Sequence, residues 1–218
     1  MSPGQQVQRA ADALKIFPLP SAVLLPGAAL PLHLFEPRYR ALVRDALAGD
    51  GVLALADLEP GWERDYAGRP PLKPLACAGV IAWHEALPDG RYNILLQGVS
   101  RVRILEEHAP IHPYREVRAE ILGDPPYEGP LEALLRQAVL EIAGRLSGEL
   151  GDSLLALASH ARGGALADLV TAALVQDLDE RKAALEELHP ARRLERTLEN
   201  VGELMARMGA AAPRGPLN

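Results

Sequence analysis

The sequence predicts an α+β protein in which a β-rich half is followed by an all-helical half. Up to residue 123, short apolar runs are cut by prolines and turn-forming residues, a pattern typical of strands. After residue 129, apolar residues recur every three or four positions, which is typical of helices. Between the halves, the adjacent prolines of DPPYEG end the last strand. We therefore predict four parts: an N-terminal tail at 1–14, a β-rich domain at 15–123, a helical bundle at 130–208 and a disordered tail at 209–218.

The composition is that of an ordinary folded protein, with 218 residues of which 48% are hydrophobic and 24% are charged. A net charge of −6 argues against a general nucleic-acid binder, because phosphate binding requires concentrated positive charge. The single cysteine, Cys77, excludes an internal disulfide and a multi-cysteine zinc site. Neither a signal peptide nor a membrane-spanning apolar stretch is apparent in the sequence. We expect a soluble, cytoplasmic protein with no cofactor and no bound metal.

One helix is predicted among the strands of the β-rich half. The run KIFPLPSAVLLPGAALPLHLF at 15–35 contains four prolines, so its strands should be short, bulged or at sheet edges. A helical period appears in PRYRALVRDALAG at 37–49, and the buried-strand run GVLALADL follows at 51–58. The run YREVRAEIL at 114–122 closes this half with the alternation of a strand.

A β-hairpin is predicted over residues 76–105, where two apolar strands flank the tight turn Pro88-Asp89-Gly90. Gly98 lies inside the second strand, which predicts a bulge or a close backbone approach. These residues are therefore interpreted as structural.

The motif Glu36-Pro37-Arg38-Tyr39 has a structural and a functional interpretation. Pro37 suits the first helical position, where its missing N–H costs nothing. Glu36 should then accept backbone N–H groups at the start of the helix, and Arg38 should pair with an acid such as Glu36 itself. Tyr39 joins the buried helix face. We favour this interpretation over a peptide-recognition edge.

The second half contains five segments with helical spacing of apolar residues, with Asp152 and Asp179 as candidate N-caps. The segments cover residues 130–146, 152–161, 164–175, 179–188 and 190–208.

Several runs resemble, in the same order, the N-terminal substrate-binding domain of Lon proteases. The resemblance implies a PUA-like pseudo-barrel followed by a helical bundle. The matching runs are IFPLPSAVLLPGAALPLHLFEPRYRALVRDAL at 16–47, CAGVIAWHEALPDGRYNILLQGVSRVRILEE at 77–107, PYREVRAEIL at 113–122 and LADLVTAALVQDLDERKAALEELHPARRLERTLE at 166–199.

The catalytic parts of a Lon protease have no counterpart in the sequence. An ATPase of this kind needs a Gly-Lys pair in its phosphate loop, and the sequence contains none. Lon peptidases use a Ser–Lys dyad, and none of Lys15, Lys73 and Lys182 lies in such a setting. We therefore expect a stand-alone member of the family that is not an enzyme.

The resemblance implies a polypeptide-binding or adaptor protein that recognises unfolded or exposed apolar segments, through an apolar groove or an unpaired strand edge. The candidate contacts are Leu32, Phe35, Trp62 and Tyr66. Expected partners are client polypeptides, with a protease or chaperone as a further candidate; neither nucleic acid nor a membrane is expected, and the oligomeric state is not predicted.

Two alternatives stay open at this stage. PUA-like folds include RNA readers, and Arg101 and Arg103 on one strand face could form a small anion patch, although a solvated face is the simpler interpretation. An enzyme site near Cys77 or His84 is the other alternative, and no residue spacing supports it.

Overall fold

The computed structural model describes residues 1–66, 68–146 and 148–211, and it divides the chain into two compact units. The first unit is Met1–Gly123 and the second begins at Asp124. Among the described residues, no helix combines the length and the apolar character that crossing a membrane requires.

The described part of the first unit is built on six strands, of which five close into a barrel. The sheet order is β2-β5-β4-β3-β1-β6, and β6 pairs also with β5, so β1, β3, β4, β5 and β6 form the closed ring. Among the described strand pairings, only that of β1 with β3 is parallel. The prediction of an α+β fold with a barrel-like β domain is confirmed. The strands are β1 (Leu14–Pro18), β2 (Ala29–Leu34), β3 (Val52–Leu58), β4 (Leu72–Ala86), β5 (Tyr92–Glu107) and β6 (Arg115–Leu122).

Small and branched side chains fill the barrel, as the narrow interior of a five-stranded ring requires. The core includes Leu14 and Ile16 of β1, alternate residues of β3 and β4, and Val102 and Val117. Helix α2 (Pro37–Leu47) packs beside the barrel with Tyr39, Leu42, Val43 and Ala46 buried.

The N-terminal segment is ordered, so the prediction of a tail at 1–14 is wrong. Helix α1 (Pro3–Ala10) begins at a capping box between Ser2 and Gln5, and a 3-10 turn at Ala11–Ala13 leads into β1. Val7 is fully buried in the barrel core. The helical spacing of Val7, Ala10, Ala11 and Leu14 is the sequence pattern that indicates this helix. The pattern is weak because two of the four residues are alanines, which contribute little apolar surface.

Beyond its contact with β3, the long β4–β5 hairpin continues with β2 as a three-stranded extension of the same sheet. Pairing of β3 with β4 reaches Val80, after which β4 has only β5 beside it among the described residues. Strand β2 pairs along the other side of β5, from Ala29↔Gln97 to Leu34↔Tyr92. We call this part the sheet extension: β2, residues 92–97 of β5 and residues 81–86 of β4. Its hairpin turn contains Gly90 with a φ of 80°.

Two opposed glycines allow the segment before β2 to cross closely over the sheet. Gly79 of β4 and Gly98 of β5 are register partners beside a shift in the β4–β5 ladder. Gly98 donates its N–H to Ala28 O at 2.8 Å, and a Cβ at Gly98 would collide with Leu25 O. A Cβ at Gly79 would lie 2.6 Å from Gln97 O. Both positions therefore require glycine for space.

The second unit contains five helices in its described part, packed around an aliphatic core that includes Leu135, Val139, Leu154, Leu166 and Leu194. The helices are α3 (Leu131–Arg145), α4 (Glu149–His160), α5 (Gly163–Leu174), α6 (Leu178–Glu186) and α7 (Pro190–Ala211).

Two predicted helix ends and the C-terminal tail differ from the prediction. Asp152 lies inside α4, and α6 is capped by Asp177, which accepts from the N–H groups of Asp179 and Glu180. Asp177 is the residue before the first helical position, where a short carboxylate reaches these groups. Residues 209–211 belong to α7, and the rest of the predicted tail at 209–218 lies outside the described residues.

Arg193 of α7 is a fully buried cation that joins three parts of the second unit. Its Nε lies 3.2 Å from Asp168 Oδ1 of α5, an ion-pair contact outside hydrogen-bond geometry. Its Nη2 donates to Asp124 at the start of the unit, and its Nη1 donates to Glu187 O at 3.0 Å. Gly164 lines this contact, and a Cβ there would collide with the guanidinium. The guanidinium therefore holds Asp168 of α5 and the C-terminal end of α6 against α7.

Acid should weaken one helix–helix contact in the second unit. Arg196 and Asn200 of α7 donate to the Glu180 carboxylate, and these hydrogen bonds lower the pKa of Glu180 from 4.5 to about 2. A carboxyl with a lowered folded-state pKa stabilises above its unfolded pKa, and the contribution is lost as pH falls towards 2. We expect Glu180→Gln to cost less than about 1 kcal/mol at neutral pH, since the pair is partly exposed.

Thermal unfolding followed by helix circular dichroism at pH 7 and near pH 2.5 measures this effect. Wild type and Glu180→Gln should differ at pH 7 and converge in acid. An equal difference at both pH values would contradict the assignment of the contact to the ionised carboxylate.

Candidate functional site

An exposed apolar row crosses the outer face of the sheet extension. Pro31 of β2, Leu95 of β5 and Trp83 of β4 are successive register partners, so their side chains lie side by side on one face. Trp83 is 54% exposed. The row lies in an open groove of about 480 Å³, lined by Pro31, Leu32, His33, Trp83, Asn93, Ile94 and Leu95.

A polar row borders the apolar one. His33, Asn93 and Glu85 are the next register partners on the same face. His33 Nδ1 and Asn93 Oδ1 are 2.7 Å apart, and Asn93 Nδ2 donates to Glu85 at 3.0 Å. Phe35, 60% exposed, stacks on His33 with ring centroids 6.2 Å apart. The face thus combines apolar contact area with oriented hydrogen-bonding groups, an arrangement typical of binding surfaces.

The structure divides the four predicted contact residues between two surfaces. Leu32 lines the groove, although strand alternation places its side chain on the same side as buried Leu34, and Phe35 lies at the groove's border. Trp62 and Tyr66 lie elsewhere, with ring centroids 5.6 Å apart. Trp83 was not among the predicted contacts. The sequence pattern that could have indicated its exposure is an aromatic residue followed by polar His84 and Glu85 in the outer part of a predicted hairpin.

The second surface is a smaller pocket at one end of the barrel, with a cavity volume of about 190 Å³. We call it the tyrosine pocket because the rings of Tyr39, Tyr66 and Tyr114 line it. Its other lining residues are Pro18, Arg38, Leu58, Gly68, Arg69, Pro70, Pro110, His112, Pro113 and Arg115.

Glu36 and Arg38 build one wall of the tyrosine pocket. The prediction that Glu36 caps α2 with its carboxylate is wrong, since no such hydrogen bond forms. The carboxylate instead accepts from Arg38 Nε and from the Tyr66 hydroxyl, each at 3.0 Å. The guanidinium of Arg38 lies 4.7 Å from the ring centre of Tyr39 and 4.9 Å from that of Tyr66. Pro37 occupies the first position of α2.

Two phenols of the pocket stay neutral even well above neutral pH, because burial favours their uncharged form. Burial raises the pKa of Tyr39, and burial together with a hydrogen bond to Asp45 raises the pKa of Tyr114. The Tyr114 hydroxyl donates to Asp45 at 2.9 Å. At neutral pH these phenols therefore act as uncharged walls.

The residues behind the alternative hypotheses lie in different settings. Arg101 is buried, whereas a solvated face was expected, and Arg103 pairs with Glu120 at 2.7 Å. Cys77 is buried. Within residues 1–66, 68–146 and 148–211, no group of three His, Cys, Asp or Glu side chains is placed to hold a metal ion.

The family model of the ATP-dependent protease La (LON) substrate-binding domain matches residues 13–202. The chain belongs to the LON substrate-binding domain family. Among relatives of this LON-type chain, the Lon protease of Trichlorobacter lovleyi is 30% identical over 213 residues, covering 91% of this chain and 24% of that protein. Lon protease 2 of Myxococcus xanthus is 28% identical over 195 residues, covering 86% of this chain and 23% of that protein. The LON-type chain thus spans about a quarter of the length of these relatives.

Solved structures of LON domains share the fold. The N-terminal domain of a Mycobacterium avium complex Lon protease superposes with a TM-score of 0.68 at 16% identity, covering 88% of this chain and 99% of that one. A Lon N-terminal domain protein from Xanthomonas campestris gives a TM-score of 0.63 at 25% identity, covering 86% and 97%. The predicted family and its fold are confirmed.

Proposed function

We propose that this chain is a non-catalytic polypeptide-binding module, and that the outer face of the sheet extension recognises exposed apolar segments of unfolded proteins. The observation that carries the proposal is the row Pro31–Leu95–Trp83, with its largest side chain 54% exposed. Large exposed aromatics in a concave apolar setting are the residues that contribute most to polypeptide binding. Membership in a family described by substrate binding supports the same conclusion.

The geometry suits an extended or loosely structured ligand. The groove is open and shallow, so it can receive apolar side chains of different shapes without a matched cavity. The polar row of His33, Asn93 and Glu85 beside it offers partners for the ligand's peptide groups, which an unfolded segment exposes in large numbers. Phe35 extends the apolar contact beyond this row. Phe35 therefore keeps its proposed role and is joined by Trp83, whereas the side chain of Leu32 lies on the opposite face of β2.

An adaptor role follows from the proposal, with a protease as the partner that acts on the bound client. The relatives that the chain matches are Lon proteases. Binding at the sheet extension would hold a client without chemical change and leave cleavage to the partner.

Replacing Trp83 with serine should weaken binding of reduced, carboxymethylated casein about tenfold, because the largest exposed apolar surface of the groove is lost. Isothermal titration calorimetry measures the affinity. The control is Ile111→Ser, which truncates a 78% exposed apolar side chain outside the groove and should leave the affinity within twofold.

A direct optical readout is available because Trp62 and Trp83 are the two tryptophans of the chain. In a Trp62→Phe variant, client binding should shift the emission of Trp83 to shorter wavelength. A wild-type protein that binds none of several unfolded clients at micromolar concentration would refute the proposed function. Equal losses of client affinity in Trp83→Ser and Ile111→Ser would refute the placement of the binding site at the sheet extension.

A further inference from the structure

The tyrosine pocket has a charge pattern that the proposed function does not use. Its ionisable lining groups within the described part of the chain, apart from the tyrosine phenols, are Arg38, Arg69, Arg115 and His112, and no carboxylate is among these described lining residues. A small enclosed space with cationic and aromatic walls favours an anion over a cation.

The paired carboxylates do not balance the three arginines. Glu36 pairs with Arg38, and Glu107 is shared between Arg115 and Arg69. In these ion pairs of the described residues, three guanidinium groups thus pair with two carboxylates. Arg69 therefore shares its carboxylate partner with Arg115.

Arg69 uses fewer of its donors on neighbouring groups than Arg38 or Arg115 does. Arg115 directs its guanidinium to both oxygens of Glu107 and to Pro70 O, so its hydrogen-bonding capacity is largely used. Arg69 makes one ion-pair contact, Nη2 to Glu107 Oε1 at 3.0 Å, and its side chain is 33% exposed. A guanidinium carries five N–H donors, so a second carboxylate can bind to the remaining ones.

The size and the walls define the rest of the ligand. A cavity of about 190 Å³ is enough for one small group and too little for a large cofactor. Pro18, Leu58 and Pro113 supply apolar surface. The hydroxyl group of Tyr66 already donates a hydrogen bond to Glu36, and that of Tyr114 donates one to Asp45. The ligand's body must therefore be compact and apolar.

We propose that the tyrosine pocket binds the carboxylate of a small acid with a compact apolar group, and that Arg69 is its principal ionic contact. A free organic acid and the C-terminal residue of a polypeptide present the same chemistry. The inference is independent of client binding at the sheet extension, because the two surfaces have no lining residue in common.

Phenylacetate and its uncharged isostere phenylacetamide test the proposal on the wild-type chain. Titration followed by amide chemical shifts should give saturable changes at Tyr66, Gly68 and His112 with phenylacetate. Phenylacetamide should bind at least about tenfold more weakly, since it lacks the charge-assisted hydrogen bond. A pentapeptide ending in phenylalanine, as free acid and as amide, forms the second arm. Tighter binding of the peptide acid than of phenylacetate would identify a polypeptide C-terminus as the source, and binding of phenylacetate alone would identify a free acid.

Arg69→Gln should weaken phenylacetate binding about tenfold. The matched control is Arg64→Gln, which removes the same charge from the same loop outside the pocket and should change the affinity less than twofold. Circular dichroism verifies the fold of both variants. The proposal is overturned if neither acid gives saturable shifts, if phenylacetamide binds as well as phenylacetate, or if both glutamine variants bind alike.

Discussion

Replacing Arg193 with methionine should lower the free energy of unfolding of the helical unit by about 3–5 kcal/mol. The side chain is fully buried, and its partner Asp168 is almost equally buried, with 2% of its side chain exposed. Methionine fills a similar volume, but it leaves the Asp168 carboxylate without this cation in a site of low water content. The desolvation of that charge, which the ion pair offsets, causes the loss.

Urea denaturation followed by circular dichroism at 222 nm reports the helices, whereas tryptophan fluorescence reports the β unit, where both tryptophans lie. The helix transition should move to lower urea in Arg193→Met. The control is Arg192→Met, whose side chain is 72% exposed and should change stability by less than about 0.5 kcal/mol.

A second replacement separates charge from packing. Adding Asp168→Leu to Arg193→Met removes the carboxylate that has lost this cation, and part of the stability should return. A single Arg193→Met variant as stable as the wild type would show that the contact contributes little and that our interpretation of it is wrong.

Gly98→Ala should destabilise the β unit by about 3 kcal/mol, at the upper end of the usual cost of overpacking. The added methyl group meets the Leu25 carbonyl, which is backbone and cannot rotate away. Leu24 and Leu25, both 1% exposed, hold the crossing segment in place. The strain should also displace β2, because Gly98 donates to Ala28 just before that strand.

Tryptophan fluorescence during urea denaturation measures this loss. Gly123→Ala is the matched control, since a Cβ at Gly123 meets nothing within 4 Å and its φ is not positive. Binding of casein should weaken in Gly98→Ala but not in the control, because β2 forms one side of the groove. Equal stability of the two alanine variants would contradict the close approach at Gly98.

Local chemistry made several elements predictable from the sequence. Pro37 has no N–H to lose at the first helical position, and Gly90 supplies the positive φ of a tight turn, so both signals act within a few residues. The helical half was predictable for the same reason, because its period of apolar residues is a local property.

The candidate site depended on contacts that no local pattern contains. The row Pro31–Leu95–Trp83 joins three strands, and its register follows from the bulges of β4 and β5 as much as from any strand alone. Glu36 lay beside a helix start, yet Arg38 and the distant Tyr66 provide stronger partners than the backbone. Nearby and distant donors compete for the hydrogen bonds of such a carboxylate. The sequence identifies only the donors that lie near it along the chain.

The proline in β2 affects how copies of this protein behave when they are crowded together. Strand β2 has one strand neighbour among the described residues, and open edges of this kind invite the edge-to-edge stacking that leads to aggregates. A strand tolerates proline at a position whose N–H would face away from the neighbouring strand. The missing backbone donor of Pro31 therefore lies on the open edge of β2. A second copy aligned there would lack a donor midway along the ladder. The chain can therefore expose the apolar row of the sheet extension at high concentration, while the open edge of β2 resists assembly into fibres.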